Sequence, residues 1–133
     1  PIVGEQALTF SLRPEEFAAR IAPARTFGFT REVEALRRRG LARGGSLQNA
    51  VVLDDTGIVS GPLRFRDEFV RHKILDLVGD LALVGRPIIG EITAHRAGHA
   101  LHSRFVGKIL AEMANAGDEV AEAQWGEGAL AGA

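Results

Sequence analysis

Arg-Asp-Glu-Phe-Val-Arg-His-Lys-Ile-Leu-Asp-Leu-Val-Gly-Asp-Leu-Ala-Leu-Val, residues 66–84, is the stretch on which the fold turns. Val70, Ile74, Leu77, Val78 and Leu81 recur at helical spacing and make one apolar stripe, so the segment is expected to be a helix that packs by this stripe into a core. The opposite face carries His72, Asp76 and Asp80, each one helical turn from the next and offset by only about 40° around the axis. An imidazole and a carboxylate on consecutive turns can converge on one metal ion, and both are ligands suited to zinc. Spacing of this kind more commonly marks a solvated polar face. Lys73 lies beside the line, as an oxyanion donor or as a plain surface cation.

Downstream, residues 87–95 (Pro-Ile-Ile-Gly-Glu-Ile-Thr-Ala-His) read as a strand, and residues 100–114 as a second helix using Leu101, Phe105, Ile109 and Met113. Gly98-His99 places a histidine where the strand gives way to that helix, a position that suits catalysis and equally suits an ordinary loop histidine. His95 and His102 flank it and show how little one histidine signifies. After Ala116 the chain turns rich in glycine, alanine and acids, with Trp125 isolated, and residues 117–133 are expected to form a disordered tail.

Upstream, Leu8, Phe10 and Leu12 alternate with polar residues over residues 8–13, the pattern of a half-buried strand. Pro14, Glu15 and Glu16 suit the first turn of a short helix ending near Ala22. Residues 25–29 make a second strand-like piece. Thr30 is a candidate N-cap for a helix over residues 31–39, with Gly40 placed to end it. Arg37, Arg38 and Arg39 fall in its last turn, where cations favour the negative end of the helix dipole; a nucleic-acid patch is the less favoured meaning. Residues 50–53 form a strand and Asp54-Asp55-Thr56-Gly57 a turn, so residues 25–60 are a small strand, helix, strand unit. The whole is expected to be α+β, a two-layer sandwich of a mixed or antiparallel sheet on helices with a small β-α-β insert.

Composition narrows the functions available. The chain has 133 residues, 46% hydrophobic and 25% charged, which is ordinary globular composition and one domain's worth of polypeptide. With 16 Lys+Arg against 17 Asp+Glu the net charge is -1, and no global field recommends nucleic acid or an anionic membrane. Cysteine is absent, so any metal must be held by His, Asp or Glu, and the composition suits a reducing compartment. No apolar run approaches the ~20 residues of a membrane span. Pro1-Ile2-Val3-Gly4-Glu5 has neither a basic region nor an apolar signal core, so a soluble, cytoplasmic chain without an address is expected.

Several blocks taken together carry more weight than any one of them. Ala24-Arg25-Thr26-Phe27-Gly28-Phe29, Gly40-Leu41-Ala42 with Gly44-Gly45-Ser46, Leu63-Arg64-Phe65, Asp67-Glu68-Phe69-Val70-Arg71-His72-Lys73-Ile74-Leu75-Asp76, Gly79-Asp80-Leu81 and Gly98-His99 resemble one family. It is the zinc-dependent UDP-3-O-acyl-N-acetylglucosamine deacetylases of lipid A biosynthesis. The blocks occur in the family's order, and Arg-His-Lys-x-x-Asp is the distinctive one.

The resemblance covers only the C-terminal half of such an enzyme, which consists of two similar α+β domains with the active site between them. It implies that residues 1–116 are the second domain, with its insert at about residues 25–60, and that His72 and Asp76 are two of three zinc ligands. The third ligand, a histidine, and the glutamate general base belong to the first domain and have no counterpart here. An open catalytic zinc site needs about three protein ligands plus water, so this chain alone is expected to be inactive, a separated domain or a fragment.

The remaining roles implied by the resemblance follow the deacetylation itself. Thr26 and Lys73 stabilise the oxyanion, His99 acts as charged stabiliser or general acid toward the leaving amine, and Asp80 orients His99. Phe27 lines the substrate site, and Val33, Ala42, Ala50 and Val52 contribute wall to a passage for the fatty acyl chain; core packing accounts for those four equally well. The expected partners are a UDP-linked acylated glucosamine and the N-terminal domain of the same enzyme. One rival is a binding module with the same fold and no chemistry. Another is nucleic-acid binding through the arginine run, which the balanced charge opposes.

Overall fold

The computed structural model describes residues 3–115. The tail expected over residues 117–133, Trp125 included, lies outside the described residues. Helix α1 (Pro14–Arg20) opens on its proline with Glu15 and Glu16 in the first turn and closes with Arg20, as charge on a helix dipole favours. It ends at Ile21, which is wholly buried.

Strand β1 (Thr26–Phe29) runs directly into helix α2 (Thr30–Arg38), and a loop returns the chain to strand β2 (Ala50–Leu53). The strands pair in parallel, Thr26 opposite Ala50 and Phe29 opposite Leu53, so the strand, helix, strand unit of the sequence is formed. Thr30 does not cap α2. It occupies the first helical position and donates its hydroxyl to the Leu53 carbonyl at 3.0 Å, fastening the helix to β2. At the other end Gly40 adopts φ 74°, with its N–H on the Arg37 carbonyl and the Leu41 N–H on the Leu36 carbonyl. This double bond pattern is the left-handed glycine stop that the sequence indicates.

The α+β class holds, but the sheet is narrower than expected and its pairing is parallel: among the described residues it has two strands. Residues 8–13 and 87–95 are not strands. Over residues 8–10 the alternation survives as burial, with Leu8 and Phe10 half-buried and Thr9 exposed, but Leu12 is 62% exposed and among the described residues no strand pairs with the segment. Ile89 is 99% exposed and Ile88 and Ile92 are 42% and 39% exposed, and no strand among the described residues pairs with the second segment.

Helix α3 (Glu68–Leu81) continues through a single 3-10 turn (Ala82–Val84) to Gly85, and helix α4 (His99–Asn115) packs against it. The stripe expected on α3 is half-buried throughout, because the helix lies between the ribbon on one side and α4 on the other. The core joins Val51 and Leu53 of β2 to Phe69 of α3, with Phe27, Phe29 and Leu63 packed around them. Each such side chain contributes roughly 1.5–3 kcal/mol on burial. On α4 the inward face keeps Ile109 and Met113 of the expected stripe but takes His102 and Val106 in place of Leu101 and Phe105, which are 50% and 40% exposed. A polar residue at the head of this stripe has a polar partner waiting on α3.

Candidate functional site

The segment that leads into β1 runs along the first turns of α3, and one buried ion pair holds it there. Glu68 has no exposed surface. Its Oε1 accepts from the Arg25 backbone N–H at 3.0 Å and from Arg25 Nε at 2.9 Å; its Oε2 accepts from Arg25 Nη2 at 3.0 Å and the Arg64 N–H at 2.7 Å. Burial would push this carboxyl up. The hydrogen bonds from Arg25 and Arg64 outweigh it and hold the group down at about 2.

The same clamp presents the Ala24 carbonyl to His72, one turn beyond Glu68. His72 Nδ1 lies 3.2 Å from that oxygen. A carbonyl can only accept, so Nδ1 carries a hydrogen and Nε2 is the nitrogen directed outward. Nε2 faces Asp76 Oδ1 at 3.3 Å, and the other oxygen of Asp76 accepts from Lys73 Nζ at 2.9 Å. Two acceptor atoms this close require a shared cation, whether a proton or a metal ion. The spacing matches that of two ligands on a tetrahedral zinc with arms of about 2.0–2.1 Å, roughly 3.3 Å apart. A carbonyl fixing the distal nitrogen of the imidazole is the usual support of a metal-binding histidine.

From α4, His99 reaches back across this pair. Its Nδ1 donates to Asp80 Oδ2 at 2.7 Å, and its Nε2 is directed toward Asp76 Oδ1 at 3.8 Å. The side chain is 67% exposed, so its outer nitrogen is accessible to a ligand. His102 also places Nδ1 2.7 Å from Asp80 Oδ2, but is buried. Hydrogen bonds from His102 and then His99 hold the Asp80 carboxyl below the ordinary carboxylate range. Asp80, His99 and His102 bring one potential ligand atom each within 4.8 Å of one another, a second group with the composition of a metal site.

Phe27 floors the cluster. Its ring meets Phe69 edge-on at 4.9 Å and His72 at 6.0 Å, and Lys73 Nζ lies 5.4 Å from the ring centre. His72, Lys73, Asp76, Asp80, His99 and Phe27 therefore form one contiguous group, drawn from β1, α3 and α4. Thr26 is exposed at the start of β1, and among the described residues no hydrogen bond joins its hydroxyl to the cluster. Strand alternation sets Thr26 and Gly28 on the face of the ribbon that also carries Ala50 and Val52, opposite the core face of Val51 and Leu53. Val33 of α2 covers the Gly28 backbone on the same face: a Cβ added at Gly28 would lie 3.7 Å from it. Ala42 is exposed in the loop after α2 at φ 53°, apart from those three.

His102, the Arg25–Glu68 pair and the Ala24 carbonyl are the participants that the sequence does not single out. The signal for His102 was its one-turn spacing from His99, which has meaning only once Asp80 is known to face α4. Arg37, Arg38 and Arg39 lie at the exposed end of α2, where Arg37 bonds the Gly45 carbonyl at 3.4 Å. No helix among the described residues is long and apolar enough to cross a membrane.

Comparison with known proteins finds one family over most of the chain. The family described as UDP-3-O-acyl N-acetylglycosamine deacetylase matches residues 1–111. A protein of Thermodesulfovibrio yellowstonii named UDP-3-O-acyl-N-acetylglucosamine deacetylase is 50% identical over 83% of this chain and 38% of its own length. Proteins of the same name from Myxococcus xanthus and Oleidesulfovibrio alaskensis are 50% and 54% identical, over 84% and 82% of this chain and 36% of their own length in each case. The chain thus spans a little over a third of the curated relatives it matches.

Proposed function

The chain belongs to the UDP-3-O-acyl N-acetylglycosamine deacetylase family, and we propose that it forms the second domain, residues 1–116, of a zinc-dependent amidase. The substrate is a UDP-linked, 3-O-acylated N-acetylglucosamine, and the reaction releases acetate in lipid A biosynthesis. The observation that carries this reading is the placement of Asp76 Oδ1, 3.3 Å from His72 Nε2 and 3.8 Å from the outer nitrogen of His99, while the other Asp76 oxygen accepts from Lys73 Nζ.

His72 and Asp76 are the residues that would hold the metal. Bound there, zinc would supply Lewis acidity to the acetamide carbonyl and to the attacking water. Two ligands are one short of the usual three, so the remaining histidine and the glutamate that accepts the proton of water come from another domain of the longer protein. A nucleotide-activated sugar as substrate and a chain without cysteine suit a reducing, cytoplasmic setting.

This chain's own groups do the rest. Lys73 holds Asp76 with Oδ1 turned to His72 and keeps its ammonium beside the place where negative charge develops on the acetyl oxygen. Thr26 offers a hydroxyl to the same oxygen. Asp80 fixes His99 through Nδ1, which leaves the outer nitrogen to deliver a proton to the leaving amine. Phe27 lines the substrate site. Ala50 and Val52, with Val33 on the same face of the ribbon, contribute wall for the acyl chain, as does Ala42 from the loop after α2.

The test is zinc content and acetate release for this chain, alone and mixed with a separately produced polypeptide carrying the missing histidine and glutamate. Stoichiometric zinc and hydrolysis are expected in the mixture. Association without hydrolysis would sink the reading in favour of a binding module.

A further inference from the structure

We propose that His102 is a positioning residue for His99, acting through the carboxylate of Asp80. The two imidazoles sit one turn apart on α4 and share a single acceptor: each Nδ1 lies 2.7 Å from Asp80 Oδ2. Their surroundings differ. The side chain of His102 is 4% exposed and that of His99 is 67% exposed. The inner bond is therefore shielded from water while the outer one borders it, and the inner bond fixes where the shared oxygen stands. Asp80, 19% exposed, would otherwise be free to rotate and take its hydrogen bonds from solvent. With His102 in place the oxygen is fixed, and the bond to it leaves His99 with its outer nitrogen directed at Asp76.

The same three residues are poorly arranged to hold a metal ion of their own. Each nitrogen stands at hydrogen-bond distance from the oxygen, well inside the roughly 3.3 Å that separates two ligands on a tetrahedral zinc. The His72 and Asp76 atoms do have that separation. A carboxylate that accepts two N–H groups also accounts for the lowered pKa of Asp80.

What His102 supplies is one donor, two bonds from Cβ. The amide nitrogen of asparagine occupies the same place, whereas leucine fills the volume without a donor. The kinetic arm of the test rests on the deacetylase reading; the spectroscopic arm does not. In the complete protein that carries this segment, His102→Leu is expected to lower kcat about tenfold with KM and zinc content nearly unchanged. It should also abolish the hydrogen-bonded His99 Nδ1–H signal in imidazole nitrogen–proton correlation spectra. His102→Asn is expected to restore both. A His102→Leu protein with an undiminished His99 signal, or a folded His102→Asn protein as impaired as His102→Leu, would overturn the proposal. A wild-type protein that shows the coupled spectra but releases no acetate would overturn the deacetylase reading and leave the positioning role supported.

Discussion

Glu68 and Asp76 both lie on α3, two turns apart, and both are ionic groups largely withdrawn from water, yet they are completed in opposite ways. Glu68 is sealed: its oxygens accept four hydrogen bonds from Arg25 and Arg64, and none of its surface is exposed. Asp76 is 12% exposed and takes one bond from Lys73, while its other oxygen faces His72 Nε2 with no hydrogen-bonding neighbour closer than 3.3 Å. A charge closed on its own chain holds a fold together. A charge left with an open coordination position is equipped to receive something.

Mutations can break this comparison. Glu68→Ala strands the Arg25 charge in the interior and should cost about 3–5 kcal/mol of stability, read as a lowered midpoint in chemical unfolding. A cost under 1 kcal/mol would mean that the pair is not the closed unit described. Acid probes the same group without mutation. Its folded value of about 2 lies below the ordinary 4.5, so its contribution is complete above 4.5 and is lost as pH falls from there toward 2. The shift corresponds to roughly 3 kcal/mol, and Glu68→Gln should remove most of that acid dependence.

At the open site the effect should move from stability to turnover. His99→Ala in a complete enzyme is expected to lower kcat by about a hundredfold while zinc content and the unfolding midpoint stay near wild type. Unchanged kcat would remove His99 from the chemistry. The smallest effect is expected at His95, an exposed histidine just before α4: His95→Ala should leave stability within about 0.5 kcal/mol and turnover unaltered.

Local order was legible where one segment suffices to specify it. Proline and acids opened α1, Gly40 stopped α2, and the period of residues 66–84 marked α3. Residues 8–13 and 87–95 had the composition of strands but not the outcome, because a strand exists only with a partner, which its own sequence does not name. The candidate site divides the same way. His72 and Asp76 share one helix, so their spacing was informative, whereas Arg25 and Glu68 stand 43 positions apart and nothing in either neighbourhood announces the other. On α4 an apolar period through Leu101 and Phe105 competed with one through His102 and Val106; the bond to Asp80 and the packing of Val106 decide for the second.

The length of chain enclosed by the Arg25–Glu68 pair bears on the order of folding. The loop it closes contains β1, α2 and β2 entire, so the pair is a long-range contact whose closing entropy is offset only when the ribbon already lies against α3. Glu68 entering the core before Arg25 arrives would be an unpaired charge in an apolar setting, which favours late closure. The pair then acts as a latch on an assembled ribbon rather than as a nucleus. Glu68→Ala is accordingly expected to accelerate unfolding far more than it slows refolding, and a chevron with its main change in the refolding limb would place the latch at the start instead.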